Sequence, residues 1–328
     1  MVNVNGLMLI DAPHSALNNT GSDTGDITDN SVKVKSIWKN NTSYPYVSGQ
    51  AFRYWLRETL EKNFNWKMSP INREKKIAFT EANPIIYPDD DVFGYMRALK
   101  KKDGGTVTRI SPFKNSPLIS VVGQNPTNDF GVMARQDTGN PVPFEHEFYS
   151  TILKGIFSID VSSIGVFSET ERLGYRNMYP KLIEFAQEKG LKNKDSEWVL
   201  NDDTRIKRTQ DIINALPYLS GGAKNTTHLT DVSPKILVLA AIGSGNNIFM
   251  NIVYEKNNQI VFDIDAMDDV INDYKEILKT DVYIGIRKGF LNELQNEIIE
   301  YGKFKSNVHV GSIKEMTDKF SNEIPKLI

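Results

Sequence analysis

The sequence predicts an α+β fold with large insertions. Residues 236–242 form an uninterrupted apolar run and residues 3–10 alternate well enough for a strand, whereas residues 49–64 repeat apolar side chains at helical spacing. Long polar stretches rich in Gly, Asn and Pro separate several such segments. Strands and helices interleave along 328 residues without an evident linker or short repeat, so we expect a single domain over residues 1–328.

The first elements are two strands and a helix. After the strand at residues 3–10 comes a polar stretch typical of a long loop, and residues 32–38 alternate again as a second strand or hairpin arm. The segment SYPYVSGQAFRYWLRETLEKNF, residues 43–64, then predicts an amphipathic helix with Ser48 and Gly49 at its N-terminal cap.

The next segments alternate between helix and strand signals. DDDVFGYMRALKKKDGG has acidic residues at its start and basic residues at its end, which predicts a helix that Gly104 and Gly105 stop. Residues 106–122 and 146–160 are β-rich, and the Gly-, Asn- and Pro-rich stretch between them, residues 122–144, predicts a hairpin-like excursion.

The remaining elements follow from the same signals. The expected helices are residues 179–189, 205–219, 265–278 and 292–301, and the expected strands are KILVLAAIG, IFMNIVYE and VYIGIR.

Composition bounds the class of protein. The chain has no Cys, which excludes disulfides and thiolate metal sites and favours a cytosolic location. Its start lacks a signal-peptide pattern, and the apolar run Ile236–Gly243 is too short to span a bilayer. We therefore expect a soluble cytoplasmic protein. The formal net charge of -2 provides no overall positive field for a generic nucleic-acid binder.

Local charge differs from the average. Residues 48–76 hold seven basic and three acidic residues, and residues 97–114 hold six basic residues, Arg109 and Lys114 among them, against one acidic residue. Basic clusters are common on solvated faces, so they indicate a binding surface only if a geometry gathers them.

The helix at residues 49–64 offers such a geometry. Helical spacing puts Gln50, Arg53, Tyr54 and Arg57 on a solvated face, opposite a face that contains Trp55. Guanidinium groups beside the unpaired N–H groups of a helix N-terminus can bind an anion such as a backbone phosphate. The alternative is a capped surface helix whose arginines pair with nearby carboxylates.

A second candidate is the loop LSGGAKNTTHLTD, residues 219–231. Lys224, Asn225, Thr226 and Thr227 follow a Gly pair and can donate hydrogen bonds to phosphate or ribose. The loop lacks the order of a P-loop, and a Gly pair after a helix is also an ordinary C-terminal cap.

Catalytic patterns are sparse. The four histidines are far apart in sequence and show no metal-binding spacing, and His146 fits a polar position in an irregular strand. Asp89, Asp90 and Asp91 could hold Mg²⁺, but they also suit the start of a helix, which we favour.

Six segments, in their order along the chain, resemble the backbone subunits of type I CRISPR effector complexes (Cascade), specifically the DevR-like branch of subtype I-B. The segments are GLMLIDAPHSALNN, YPYVSGQAFRYWLRETL, DVFGYMRA, RISPFKNSPLISV, PFEHEFYSTILKGIFSIDVSSIGVF and GGAKNTTHLTDVSPKILVLA. Their order is more specific than any one of them.

The resemblance implies a modified RRM (ferredoxin-like) core with large insertions, among them a thumb-like β-hairpin at about residues 122–144 and a helical insertion at about residues 177–231. It implies a non-catalytic subunit without a cofactor. The implied partners are CRISPR RNA, target DNA through the guide, further copies of the chain and other subunits of the complex.

The resemblance also implies RNA-binding residues. The helix and its cap supply Ser48, Gly49, Gln50, Arg53 and Arg57, the loop after the first strand supplies Asn18 and Asn19, and the Gly-rich loop supplies Gly221, Gly222, Lys224 and Asn225. We add Arg109, Lys114 and, in the hairpin, Arg135.

The manner of RNA binding follows from a missing motif. The sequence lacks the RRM motif K/R-G-F/Y-G/A-F-V-x-F/Y, so we expect recognition of the RNA backbone rather than base stacking on the sheet. The alternatives are a metal-dependent ribonuclease of the type III kind that uses Asp89, Asp90 or Asp91, and a DNA-binding transcriptional regulator.

Overall fold

The computed structural model describes residues 1–20, 31–74, 76–100, 105–133, 142–171 and 176–328. It has a mixed α+β architecture with a large central sheet and helices on both faces, which confirms the predicted class. The strands are β1 (Asn3–Ser15), β2 (Ser31–Val32), β3 (Ser36–Lys39), β4 (Thr42–Val47), β5 (Asn72–Glu74), β6 (Ile77–Phe79), β7 (Tyr95–Ala98), β8 (Thr106–Arg109), β9 (Phe113–Asn115), β10 (Leu118–Ser120), β11 (Thr127–Met133), β12 (Val142–Asp160), β13 (Val166–Ser168), β14 (Lys192–Lys194), β15 (Glu197–Val199), β16 (Ile236–Ile242), β17 (Val253–Lys256), β18 (Gln259–Phe262), β19 (Val282–Ile286) and β20 (Val308–Ser312). The helices are α1 (Gly49–Phe64), α2 (Pro88–Phe93), α3 (Pro180–Glu188), α4 (Asp202–Ala215), α5 (Asn225–His228), α6 (Ile264–Tyr274), α7 (Asn292–Phe304) and α8 (Ile313–Ser321), with 3₁₀ turns at Leu216–Tyr218 and Ile324–Lys326.

The central sheet runs in the order β20-β19-β16-β1-β12-β10-β4-β3, and β2, β9 and β11 also pair with β12. Strand β1 lies antiparallel between β12 and β16, and β19 and β20 form a parallel pair. Among the described residues, no helix combines the length and apolar character that crossing a bilayer requires.

Strand β1 is buried on both faces of the sheet. Met8 and Ile10 face a core that also contains side chains of α1, α4 and α8, whereas Leu7 and Leu9 face a second core with α6 and α7. Successive side chains of a strand point to opposite faces, so burial on both sides explains the uninterrupted apolar run from Leu7 to Ile10.

The predicted helix in DDDVFGYMRALKKKDGG is wrong in its length. Helix α2 ends at Phe93, Gly94 takes φ +72°, and the chain continues as β7, which pairs with β8. A Cβ at Gly94 would lie 2.4 Å from the carbonyl oxygen of Arg109, so this turn needs glycine. Pairing with the next strand in a hairpin overrides the helix signal. Gly104 lies outside the described residues.

A β-hairpin occupies part of residues 122–144. Strands β11 and β12 pair antiparallel, with Thr127 opposite Phe148 and Met133 opposite Val142. Residues 134–141, which include Arg135, lie outside the described residues. Phe130 and Val132 expose 60% and 59% of their surface, so this hairpin does not bury its apolar side chains in its own core.

Candidate nucleic-acid interface

The N-terminus of α1 is capped as the sequence predicts. Ser48 is the N-cap, and its Oγ accepts a hydrogen bond of 3.3 Å from the backbone N–H of Ala51. The first turn contains no acidic residue, and Gln50 is exposed. The positive end of the helix dipole therefore meets solvent without a neutralising carboxylate in that turn.

Two distant segments hold this helix end in place. The side-chain oxygen of Asn18 accepts a 2.9 Å hydrogen bond from the backbone N–H of Ser48. Asn115 Nδ2 donates to the carbonyl oxygen of Gly49 at 3.2 Å. Lys114, next to Asn115 on β9, is exposed. The loop after β1 and the strand β9 thus bring a side-chain amide and a cation to the start of α1.

The Gly-rich loop reaches the same place. Gly221 and Gly222 have φ angles of +151° and +104°, and Cβ atoms there would lie 2.3 Å from Trp55 Cδ1 and 2.5 Å from Leu17 Cδ2. The backbone N–H of Ala223 donates to the carbonyl oxygen of Leu17 at 3.0 Å. Only glycine permits such a close approach to both α1 and the end of β1.

Beyond the Gly pair, exposed polar groups follow directly. Lys224 and Asn225 are exposed, and Lys224 has a φ of +55° just before the short helix α5. Three segments are therefore juxtaposed: Asn18, the cap of α1 30 residues later, and the loop with Lys224, which lies more than 170 residues further along the chain.

Arg53 does not lie on a solvated face, which corrects the prediction. Its Nη1 donates to the carbonyl oxygen of Phe113 at 2.7 Å, and its Nη2 donates to the carbonyl oxygen of Phe93 at 2.5 Å and to Ser111 Oγ at 3.0 Å. Burial, followed by the charge of Arg57, lowers the pKa of Arg53 to about 10. These bonds hold α1 against the segments that contain Phe93 and Phe113.

Arg57 is half-buried rather than fully solvated. Its guanidinium carbon lies 4.3 Å from the centre of the Phe93 ring. Burial lowers the pKa of Arg57, and the charges of Asp89 and Asp90 oppose that shift. The alternative, in which the arginines pair with nearby carboxylates, does not describe Arg53, whose partners are carbonyl and hydroxyl oxygens. Arg57 lies close enough to Asp89 and Asp90 to feel their charges.

Arg109 is buried and committed to the protein interior, which corrects its assignment as an RNA contact. It is ion-paired with Asp91, and it donates to the carbonyl oxygens of Ser163 at 2.8 Å and Val166 at 2.9 Å. Arg208 Nη1 also donates to Asp91, at 2.5 Å. A guanidinium whose donors are used inside the protein has none to offer a phosphate, so we leave Arg109 out of the interface.

The three aspartates lie in the first turn of α2, as the helix-start interpretation predicts. Asp89 accepts from the backbone N–H of Ser69 at 2.9 Å, and Asp90 accepts from that of Asn83 at 2.9 Å. Each carboxylate, Asp91 included, is buried and bonded to protein donors. In the described part of the chain, no group of three or more His, Asp or Glu side chains is arranged to hold a metal ion.

Three of the four histidines, which the sequence left unconnected, form one row of rings. Ring centres are 6.0 Å apart for His14 and Phe148, 6.2 Å for Phe148 and His228, 6.0 Å for His228 and His146, and 5.9 Å for His146 and Phe144. The row joins the base of the β11–β12 hairpin to the end of β1 and to the helix after the Gly-rich loop. No local motif could reveal it, because only the fold brings these residues together.

Comparison with solved structures identifies the class of fold. A chain described as "CRISPR RNA-guided surveillance complex, pre-nicking" matches with a TM-score of 0.57 and 11% identity over 98% of this chain and 100% of that chain. A chain described as "CRISPR RNA-guided surveillance complex" has a TM-score of 0.49 and 9% identity, with 98% of each chain covered. The first of these shares its fold with this protein.

The family follows from the sequence. The family model described as "CRISPR-associated negative auto-regulator DevR/Csa2" matches residues 10–260. The chain belongs to the DevR/Csa2 family, and the resemblance to the DevR branch is confirmed. No curated protein sequence matches it.

Proposed function

We propose that this chain binds the backbone of a CRISPR RNA at the N-terminus of α1 and serves as a backbone subunit of a type I-B effector complex. The observation that carries this proposal is the convergence of Asn18, the Ser48 cap and the Gly-rich loop around an uncompensated helix N-terminus. Backbone N–H groups, amides and lysines recognise phosphate without reading the base, as a holder of variable guides requires.

The proposed contacts are revised by the geometry above. They comprise Asn18, Asn19, Ser48, Gly49, Gln50, Lys114, Gly221, Gly222, Lys224 and Asn225, with Arg57 at the periphery, and Arg135 stays a candidate from the sequence. Arg53 and Arg109 are left out, because they are bonded to groups inside the protein.

The remaining features belong to the same proposal. The central sheet would be a modified RRM core in a single domain, the β11–β12 hairpin its thumb, and residues 177–231 its helical insertion. Copies of the chain would stack along the RNA with other subunits, without catalysis of their own, and would leave base edges free to pair with target DNA.

Two measurements test the proposal. Nucleic acid that copurifies with the chain should consist of small RNAs of uniform length with repeat-derived ends. After copurified nucleic acid has been removed, the affinity of the protein for labelled RNA should fall as the salt concentration rises, and Lys224→Glu should lower it further. The matched control is Lys192→Glu on β14, an exposed lysine outside the interface. Equal affinity of both variants would remove the Gly-rich loop from the site.

A second candidate function rests on the family description, which names a negative auto-regulator. Regulation of that kind implies that the protein binds duplex DNA at the promoter of its own gene. Sequence-specific duplex binding by protein free of RNA would favour it over the RNA-holding role.

A further inference from the structure

Strand β3 carries an exposed tryptophan outside the interface described above. Trp38 exposes 68% of its surface, whereas the other three tryptophans, Trp55, Trp66 and Trp198, expose 3%, 6% and 5%. All four residues of β3 are exposed, and the strand lies at the edge of the central sheet. The exposed indole offers a large apolar face on which a flat ligand can stack.

The charge around Trp38 favours a polyanion. Residues 31–48 contain three lysines and no acidic residue. Lys39 is adjacent to Trp38 and exposed, and Lys35 lies half-buried three positions before it. An exposed aromatic ring among lysines is the combination with which proteins bind single-stranded nucleic acid, because the ring stacks on a base while the cations accompany the phosphates.

The position of Trp38 connects it with the proposed RNA site. Trp38 pairs with Ser43 across the β3–β4 hairpin, so the two side chains lie on the same face of the sheet. Val47 lies on that face as well and belongs to the core that contains Phe52 and Trp55 of α1. Strand β4 has six residues, about 20 Å, and leads directly into Ser48. Ser43 and Val47 are themselves buried, so the exposed part of this face begins at Trp38. RNA bound at Ser48 would reach the indole after spanning the length of β4.

We propose that Trp38 is a stacking platform for an unpaired base of the same RNA strand whose backbone is held at Ser48. This inference rests on the proposed function and extends it, because it adds a base contact to an interface otherwise built for phosphates. The competing occupant of this face is a neighbouring copy of the chain. The lysines and the absence of acidic residues in residues 31–48 favour RNA over it.

The experiment uses the full chain, cleared of nucleic acid, and a single-stranded RNA too short to hold two copies. Anisotropy of labelled RNA measures binding, and tryptophan fluorescence measures stacking, since Trp38 is the one tryptophan that the solvent reaches. Stacking should quench this emission on RNA binding. Trp38→Ala should remove the quenching and weaken binding roughly 5- to 100-fold, whereas Trp38→Phe, which keeps a ring, should lose less.

Ile37→Ala is the matched control, because Ile37 is exposed on the opposite face of the same strand and its variant should bind RNA as the wild type does. If the wild type binds RNA without quenching and Trp38→Ala binds it with the same affinity, the stacking platform is overturned. The proposed function then stays in place. Absence of RNA binding by the wild type would overturn both. Quenching only on RNA long enough for two copies would assign Trp38 to a contact between copies and overturn the inference.

Discussion

Gly222 lies so close to Leu17 that a Cβ on the glycine would be 2.5 Å from the leucine Cδ2. This contact sets the distance between the Gly-rich loop and the end of β1, and therefore between Lys224 and the cap of α1. It also needs the φ of +104° that Gly222 adopts, which L-residues other than glycine rarely take.

Gly222→Ala should displace the loop and weaken RNA binding several-fold. Both the clash with Leu17 and the backbone angle act against alanine here, and the expected loss of stability is about 1–3 kcal/mol. Gly190→Ala is the control, because Gly190 has a positive φ of +67° but open space around its Cβ position. Anisotropy with labelled RNA measures the loss of affinity in both variants, and urea unfolding measures the loss of stability. A Gly222→Ala protein that binds RNA as tightly as Gly190→Ala would contradict the role of the loop.

Arg53 should contribute to stability rather than directly to RNA affinity. Arg53→Ala removes three hydrogen bonds and takes this donor from the carbonyl oxygen of Phe93, whereas the carbonyl oxygen of Phe113 keeps the Ser111 hydroxyl. The free energy of unfolding should fall by about 2–4 kcal/mol. Urea unfolding measures the loss. Arg73→Ala, at an exposed position on β5, should change stability by less than about 0.5 kcal/mol. Equal stability of the two variants would show that the Arg53 contacts are weak.

The sequence alone could predict what depends on local pattern. The apolar periodicity located β1 and α1, and Ser48 before the helix predicted its cap, because these signals lie within a few residues of one another. It could not predict that Arg53 would bond carbonyl groups at positions 93 and 113. A solvated helix face and a half-buried one have the same spacing, and only the packing of distant segments separates them.

The same reasoning applies to the site. The residue patterns singled out Ser48 and the Gly-rich loop separately, and only the resemblance added Asn18 and connected the three, because no spacing rule joins residues so far apart. Helix α2 ended early for a related reason, since Gly94 enters a hairpin whose partner strand begins at Thr106. Strand pairing decides such a case and leaves little trace in the composition of the helix-like segment itself.

Asp89 should make the stability of the fold depend on pH. Burial, together with the charge of Asp90, raises the pKa of Asp89 from 3.8 to about 6. The folded protein therefore holds this proton more tightly than the unfolded chain does. The contribution of Asp89 to the free energy of unfolding accordingly decreases as the pH rises from about 4 to about 6.

Asp89→Asn should remove this dependence, because an amide stays neutral and its oxygen can still accept from the Ser69 N–H. Relative to the wild type, the variant should gain on the order of 1–2 kcal/mol between pH 4 and pH 7. Urea unfolding at several pH values measures the difference, with Asp273→Asn on the exposed side of α6 as the control. If the difference in unfolding free energy between Asp89→Asn and the wild type does not change with pH, the raised pKa of Asp89 is refuted.

The β11–β12 hairpin should connect neighbouring copies of the chain on RNA. Phe130 and Val132 are two positions apart on β11, so they share one face, and both are largely exposed in a single copy. An apolar arm of this kind can contact a neighbour in a head-to-tail arrangement that repeats along the RNA. The number of bound copies should then increase stepwise with RNA length.

Replacing both residues with serine should leave a folded chain that binds RNA as single copies, since neither side chain is buried in its own core. Mass photometry on RNAs of graded length measures the number of copies, and circular dichroism checks the fold. In the matched control, serine replaces Ile71 and Ile77, which expose 69% and 68% of their surface. Ile71 directly precedes β5 and Ile77 begins β6, so both belong to a separate hairpin. This control should still assemble. Stepwise assembly by the Phe130→Ser, Val132→Ser protein, equal to that of the control, would mean that the arm does not join the copies and that another surface does.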